Sequence, residues 1–153
     1  MADFTIREMR KEEIARAAEI QKGILSKERA SRLKYDIEDL LVSYIEKSPK
    51  TSLVAVEKNK VIGFMVGDIK EWSFGVERAG WIEIIGVDPQ YMGRGVGKAL
   101  GKALIERFKK EGVVDVYTAM RWDSGDLISF FKSIGFDKSS LINLRLINSG
   151  DEQ

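Results

Sequence analysis

Cysteine and histidine are both absent from this sequence. Without cysteine there are no disulfides, no thiolate zinc sites and no cysteine nucleophile, which suits a reducing cytoplasm. Without histidine the commonest neutral-pH base and the commonest metal ligand are missing. Acid-base chemistry then falls to Glu, Asp, Tyr, Lys or water, and no metal is expected. No run approaches the roughly 20 apolar residues of a membrane span, and the opening "MADFTIREMRKEEI" has no apolar signal-like core, so a soluble cytoplasmic protein without a membrane partner is expected. Neither sign of charge dominates: 25 Lys and Arg against 24 Asp and Glu leave +1, no field to attract nucleic acid. What is present, 153 residues at 44% hydrophobic and 32% charged, suffices for one core, and residues 1–153 are read as a single domain.

Periodicity supplies the element order. "DFTIREM" alternates Phe4 and Ile6, and then Met9, with polar residues; "RKEEIARAAEIQKGI" switches to helical spacing through Ile14, Ala17, Ala18 and Ile20. A second helical pattern runs from Ile37 to Glu46 and stops at Pro49, one of only two prolines. "TSLVAVEKNKVIGFMVGDIKEW" reads as two strands joined by a turn at Lys58 to Lys60, and "RAGWIEIIGV" as a third, which together imply an antiparallel meander. Val96, Leu100, Ala103, Leu104 and Phe108 mark a helical face ending at Gly112. "VVDVYTAM" reads as a strand, Asp126 to Ser133 as a helix stopped by Gly135, and "LINLRLI" as a last alternating strand whose edge suits pairing in a homodimer. The predicted order is β-α-α-β-β-β-α-β-α-β, an α/β (α+β) fold with a mixed, mostly antiparallel sheet.

The most informative stretch is "VDPQYMGRGVGKAL", with Gly93, Gly95 and Gly97 just before a helix. A Walker loop fails, because Gly97-Lys98 is followed by Ala99 and Met92 stands at the first glycine position; a dinucleotide fingerprint fails, because Lys98 stands at its last position and a meander precedes it. What remains is an anion site in which bare backbone N–H groups and a helix N-terminus meet a phosphate, most naturally a diphosphate.

These residues resemble the acetyl-coenzyme A loop of the GNAT superfamily of N-acetyltransferases, usually Val-x-Pro-x-Tyr-Arg/Gln-Gly-x-Gly-Ile/Val-Gly-x-x-Leu. The opening "FTIREM", the "VAVEKNKVIGFMVG" hairpin and "LISFFKSIGF" extend the likeness over nearly the whole chain. The resemblance implies a three-layer fold with helices on both faces of the sheet, and acetyl-CoA as co-substrate. It implies a pyrophosphate cradle from the backbone of Met92, Gly93, Arg94, Gly95, Val96 and Gly97, with Lys98 at its mouth. The pantetheine arm is expected along main-chain groups of Ile85, Gly86 and Val87. Three positions depart from the pattern: Met92 for the usual Arg or Gln, Phe131 for the tyrosine that in many members protonates the leaving thiolate, and Ser124 for a common asparagine.

The reaction so implied is direct transfer of acetyl from acetyl-CoA to an amine, and a protonated amine needs a base. Glu83 is the candidate, expected on the same alternating face as Trp81, Ile85 and Val87, where its charge would also attract a cationic amine; it is also readable as a solvated or salt-bridged strand carboxylate. Tyr117 and Tyr91 are candidate acids, though each is more often a core or turn tyrosine. Asp123 and Asp126 in "RWDSGD" suit a cationic amine, or a helix N-cap at Asp123 or Ser124. Lys27, Arg29, Arg32 and Lys34 read as a solvated face or an acceptor wall, and Trp72, Phe74 and Trp81 as hairpin packing or an acceptor groove. The acceptor stays open between a protein N-terminus, a lysine and a small amine. A non-catalytic acyl-CoA-binding or regulatory module, and a nucleotide-binding protein using the same turn, are the alternatives.

Overall fold

The computed structural model describes residues 3–24 and 36–148. The basic stretch carrying Lys27, Arg29, Arg32 and Lys34 lies outside the described residues. Five strands, β1 (Thr5–Glu8), β2 (Ser52–Glu57), β3 (Lys60–Ser73), β4 (Val76–Val87) and β5 (Val116–Thr118), form one sheet in the order β1-β2-β3-β4-β5. Every pairing is antiparallel except β4 with β5, which is parallel. The meander forms because its links are two-residue turns that match strand twist. Lys58 and Asn59 both have positive φ (49° and 63°) between the paired residues Glu57 and Lys60.

Helices cover both faces. Helix α1 (Ile14–Ile24) and α2 (Ile37–Lys47) bury Ile14, Ala17, Ile20, Leu41 and Ile45 against Val54, Phe64 and Val66 on one face. Asp36 caps α2 by accepting from the Glu38 N–H at 2.9 Å, and the chain leaves the helix just before Pro49. On the other face α3 (Val96–Lys110) and α4 (Gly125–Ser133) cover Leu53, Ala55, Ile62, Met65 and Ile82. Leu100, Leu104 and Phe108 of α3 are fully buried, each stabilising the layer by about 1.5–3 kcal/mol. The three-layer, mixed, mostly antiparallel architecture is the expected one.

Three details differ from the sequence reading. Met9 lies past the end of β1 and is buried with α1 and α2, whereas Phe4 and Ile6 pack on the α3 side. The strand expected over 113–120 is paired only at Val116–Thr118. "LINLRLI" is not a strand: Ile142, Leu144 and Leu146 are 78%, 89% and 86% exposed, in a stretch without regular secondary structure. Alternation makes a strand only where an edge can receive it. The neighbouring edge strand β5 offers three residues, and the core on the α3 side is already filled by α4 with Phe131 and Phe136.

Candidate active site

The chain passes from β4 into α3 through a turn held from below. Asp88 is buried; its carboxylate accepts from the Gln90 N–H at 2.9 Å and from the Arg16 guanidinium of α1, while its own N–H donates to Ile62 O at 2.9 Å. The Gln90 N–H first, and Arg16 further, hold this carboxyl below the ordinary carboxylate range. Beyond a 3-10 turn at Pro89–Tyr91 the backbone becomes left-handed at Gly93 (φ 79°) and Gly95 (φ 80°), and a Cβ at either would meet nothing within 4 Å. Glycine is thus required there for conformation, and the space above the loop is open. At Gly97 the reason differs: a Cβ would lie 3.2 Å from the Phe130 ring, so this glycine lets α4 pack on α3.

The first α-helical bond of α3 runs from Ala99 N–H to Gly95 O, 3.0 Å, leaving the N–H groups of Val96, Gly97 and Lys98 without an intrahelical acceptor at the positive end of the helix dipole. Lys98 is exposed at this end, and so is Met92. Arg94 points elsewhere. Its guanidinium pairs with Glu57 at 2.6 Å and lies 5.2 Å from the centre of the Tyr91 ring, so at this position only the backbone faces the cradle. An open turn with bare backbone N–H groups at the positive end of a helix fits a phosphate or diphosphate.

From this turn β4 leads back into the sheet. Its ladder with β5 covers only Gly80, Trp81 and Ile82, whereas its ladder with β3 continues to Val87. From Glu83 to Val87, including Ile85 and Gly86, one edge of β4 is therefore unpaired, and its main-chain groups are available to an extended ligand arriving from the cradle.

Glu83 sits where the two ladders part, and a bulge changes the face it occupies. Val66 pairs with Ile84 and Gly67 with Ile82, so Glu83 is the extra residue of β4. The extra residue breaks the alternation: Ile82, Ile85 and Val87 pack on the α3 side and Ile84 on the α1/α2 side. Glu83 shares its side of the sheet with Trp81, not with Ile85 and Val87. Its side chain, 27% exposed, pairs with Lys70 of β3 at 2.9 Å, and the same Lys70 Nζ lies 5.1 Å from the centre of the Trp81 ring. A partly exposed pair of this kind is worth roughly 0–1 kcal/mol.

Around this pair the structure gathers groups that the sequence reading did not single out. Asp68, in register with Trp81, has its carboxyl raised, first by burial and then by Glu83. Tyr44 of α2 is pushed up to about 12, by burial first and then by Glu83 and Asp68, so its phenol stays protonated. Among the described residues Asp68 Oδ1 and Trp81 Nε1 are buried without a hydrogen-bond partner, as is Gln21 Oε1 of α1, which faces Gly86. Tyr117 stacks on Trp81, with ring centroids 5.0 Å apart, and Phe74 tilts against it at 5.9 Å. The sequence signal for Asp68 and Lys70 was their alternation in "GDIKEW"; the register that sets them beside Trp81 and Glu83 depends on the bulge.

Phe131 is buried in an edge-to-face trio with Phe130 and Phe136. Ser124 occupies the N-cap of α4 without a side-chain cap bond, and Asp123 pairs with Arg121 at 2.9 Å. With Asp126 they border a shallow depression apart from Glu83's neighbours. Of the three hairpin aromatics Trp81 is buried, while Trp72 and Phe74 are exposed, Phe74 leaning on Trp81. Among the described residues no group of acidic side chains is arranged to hold a metal ion, and no helix is long and apolar enough to cross a membrane.

The chain is similar in part of its sequence, and in fold, to known proteins. Over 60 residues the chain is 38% identical to the N-alpha-acetyltransferase RimI of Mycobacterium tuberculosis, covering 39% of this chain and 36% of that protein. Over 93 residues it is 29% identical to a mycothiol acetyltransferase of Kocuria rhizophila, covering 59% of this chain and 31% of that protein. The chain thus spans about a third of the length of these curated relatives. In three dimensions it superposes on Ard1 from Thermoplasma volcanium with a TM-score of 0.75 at 24% identity, covering 91% of this chain and 86% of that one, a likeness of fold. Residues 13–136 match the acetyltransferase (GNAT) family, a span that contains the cradle, the unpaired edge of β4 and the Glu83 cluster, and the chain belongs to that family.

Proposed function

We propose that this chain is a single-domain N-acetyltransferase that moves an acetyl group from acetyl-CoA directly to a primary amine. The observation that carries the reading is continuity: an open backbone cradle at the start of α3 runs into the unpaired edge of β4, which ends at a carboxylate on the opposite face of the sheet. The backbone from Met92 to Gly97 holds the pyrophosphate, with Lys98 at the rim. The main chain of Ile85, Gly86 and Val87 guides the pantetheine arm. When bound, acetyl-CoA supplies an activated thioester. Glu83 attracts the acceptor ammonium and takes its proton, while Trp81, Tyr44 and Asp68 shape the seat in which that amine lies. Tyr117 stands beside Trp81 as the nearest candidate to return a proton, since Phe131 carries no hydroxyl and is buried.

The acceptor is a primary amine of a protein N-terminus, a lysine or a small molecule. Similarity to an N-alpha-acetyltransferase supports a peptide N-terminus, and similarity to a mycothiol acetyltransferase supports a small molecule. Transfer is measured by mass spectrometry with acetyl-CoA over a panel of peptides and small amines. One or more acceptors should gain an acetyl group, and Glu83→Gln should lower kcat about 100-fold, within the range of general-base contributions, with acetyl-CoA binding retained. Cofactor binding without transfer to any amine would instead make the chain a non-catalytic acyl-CoA-binding module.

A further inference from the structure

Lys70 occupies an unusual place for a strand lysine. Its Nζ is 2.9 Å from Glu83 Oε1 and 5.1 Å from the centre of the Trp81 ring. Asp68 stands two residues away on the same face of β3, with a buried carboxylate oxygen that lacks a hydrogen-bond partner among the described residues. Trp81 is 8% exposed, and its indole N–H likewise lacks a partner. A primary ammonium within hydrogen-bond reach of a carboxylate is placed where that carboxylate can take its proton, and the Trp81 ring adds a cation–π contact that helps to seat it. The chain supplies such an amine itself. Glu83 is also the first residue of β4 beyond the β5 ladder, so the cation seat and the unpaired edge meet at one residue.

We propose that Lys70 is an internal acceptor: seated at Glu83 in place of an external amine, it is acetylated on Nζ within its own molecule. This rests on the reading of Glu83 as the base. In the step, Glu83 takes one proton from the Lys70 ammonium, and the freed nitrogen lone pair attacks the thioester carbonyl carbon of acetyl-CoA. A C–N bond forms and the C–S bond breaks with its electron pair on sulfur. The second nitrogen proton goes to the departing thiolate, giving free coenzyme A, and Glu83 releases its proton to solvent. The product is a neutral acetyl-lysine that can no longer pair with Glu83. Self-acetylation thereby empties the cation seat and prepares it for an external amine.

The test incubates the purified protein with acetyl-CoA and no added amine, followed by intact-mass measurement and peptide mapping. The expected result is one acetyl group on Lys70, formed at a rate independent of protein concentration and lost in Glu83→Gln. Absence of the Lys70 adduct, a rate that rises with protein concentration, or an adduct that persists in Glu83→Gln would each overturn the proposal. A second measurement needs no acetyl-CoA. Butylammonium should bind Lys70→Gln about two- to fivefold more tightly than wild type or Lys70→Arg, the fold-change expected from removing a partly exposed internal ion pair. Equal binding to all three would show that Lys70 does not hold the seat and would also overturn the proposal. The two readings fail differently. If Glu83 is not the base, transfer to external amines is unchanged in Glu83→Gln; if only the internal acceptor is wrong, that transfer falls and Lys70 stays unmodified.

Discussion

The two ends of the unpaired stretch of β4 are built in opposite ways. At the Val87 end the turn is tightly specified: Asp88 satisfies both Gln90 and Arg16, the glycine dihedrals admit almost no other residue, and Arg94 is tied back to Glu57. At the Glu83 end the strand bulges, two carboxylates share one neighbourhood, and Asp68 Oδ1 and Trp81 Nε1 are buried without partners. Buried polar groups are nearly always paired in a folded chain, so the two beside Glu83 are hydrogen-bonding capacity left open in the proposed acceptor seat, while Gln21 Oε1, facing Gly86, is a third such group among the described residues, toward the other end. A diphosphate is the same in every reaction of this kind, and backbone geometry suffices to hold it. The acceptor differs from enzyme to enzyme, and side chains with unmet hydrogen-bonding capacity are what distinguish one amine from another.

The largest expected effect that separates the two ends comes from Gly95→Trp. The left-handed backbone at φ 80° disfavours any L side chain by about 1–2 kcal/mol, and the indole would project into the open space above the loop. Acetyl-CoA at about 100 times its Kd should raise the Tm of the wild-type protein by roughly 5–10 °C, and this rise should vanish in the variant. Butylammonium binding at the Glu83 end should survive. Loss of both responses would mean that the ends are one cooperative unit, and the contrast between them would fall.

How much of this was legible in the sequence follows the same division. The cradle could be read directly, because positive φ demands glycine and a helix start is announced by spacing; Gly93, Gly95 and the face Val96, Leu100, Leu104 and Phe108 stand as expected. The layers followed from periodicity for the same reason. Glu83 stands beside Trp81 as expected but not beside Ile85 and Val87, because a bulge shifts alternation by one and leaves no mark in composition. Asp68, Lys70 and Tyr44 were missed because their meeting depends on cross-strand register and helix placement, which are properties of the assembled sheet. "LINLRLI" misled for the converse reason, carrying a strand pattern without an edge of sufficient length beside it.

Asp88→Ala should cost about 1–3 kcal/mol of folding stability, since it leaves Arg16 and the Gln90 N–H without their acceptor. The sign with pH is fixed. A carboxyl held below its unfolded value contributes stability that is fully present above about pH 4 and is lost as pH falls through its folded value. Urea titrations of wild type and variant should therefore differ near neutrality and converge in acid. A difference that persisted unchanged in acid would show that Asp88 acts through packing alone, and the cradle end would be less electrostatically specified than its geometry implies.

The smallest effect belongs to the other end. Phe74 and Gly75 form the two-residue turn between the paired residues Ser73 and Val76, and both have positive φ, 53° and 72°. Asn is the residue that such a turn favours at its first position, whereas a bulky aromatic there is strained. The Phe74 ring recovers part of that strain by leaning on Trp81, a contact worth about 0.5–1.5 kcal/mol. Phe74→Asn should consequently raise Tm by no more than roughly 1–4 °C. In the same variant KM for the acceptor should rise while kcat holds, because the Phe74 ring then no longer leans on Trp81, the platform beneath the cation seat. A variant both more stable and unaltered in KM would place Phe74 outside the acceptor wall and confine that wall to Trp81, Tyr44, Asp68 and Glu83.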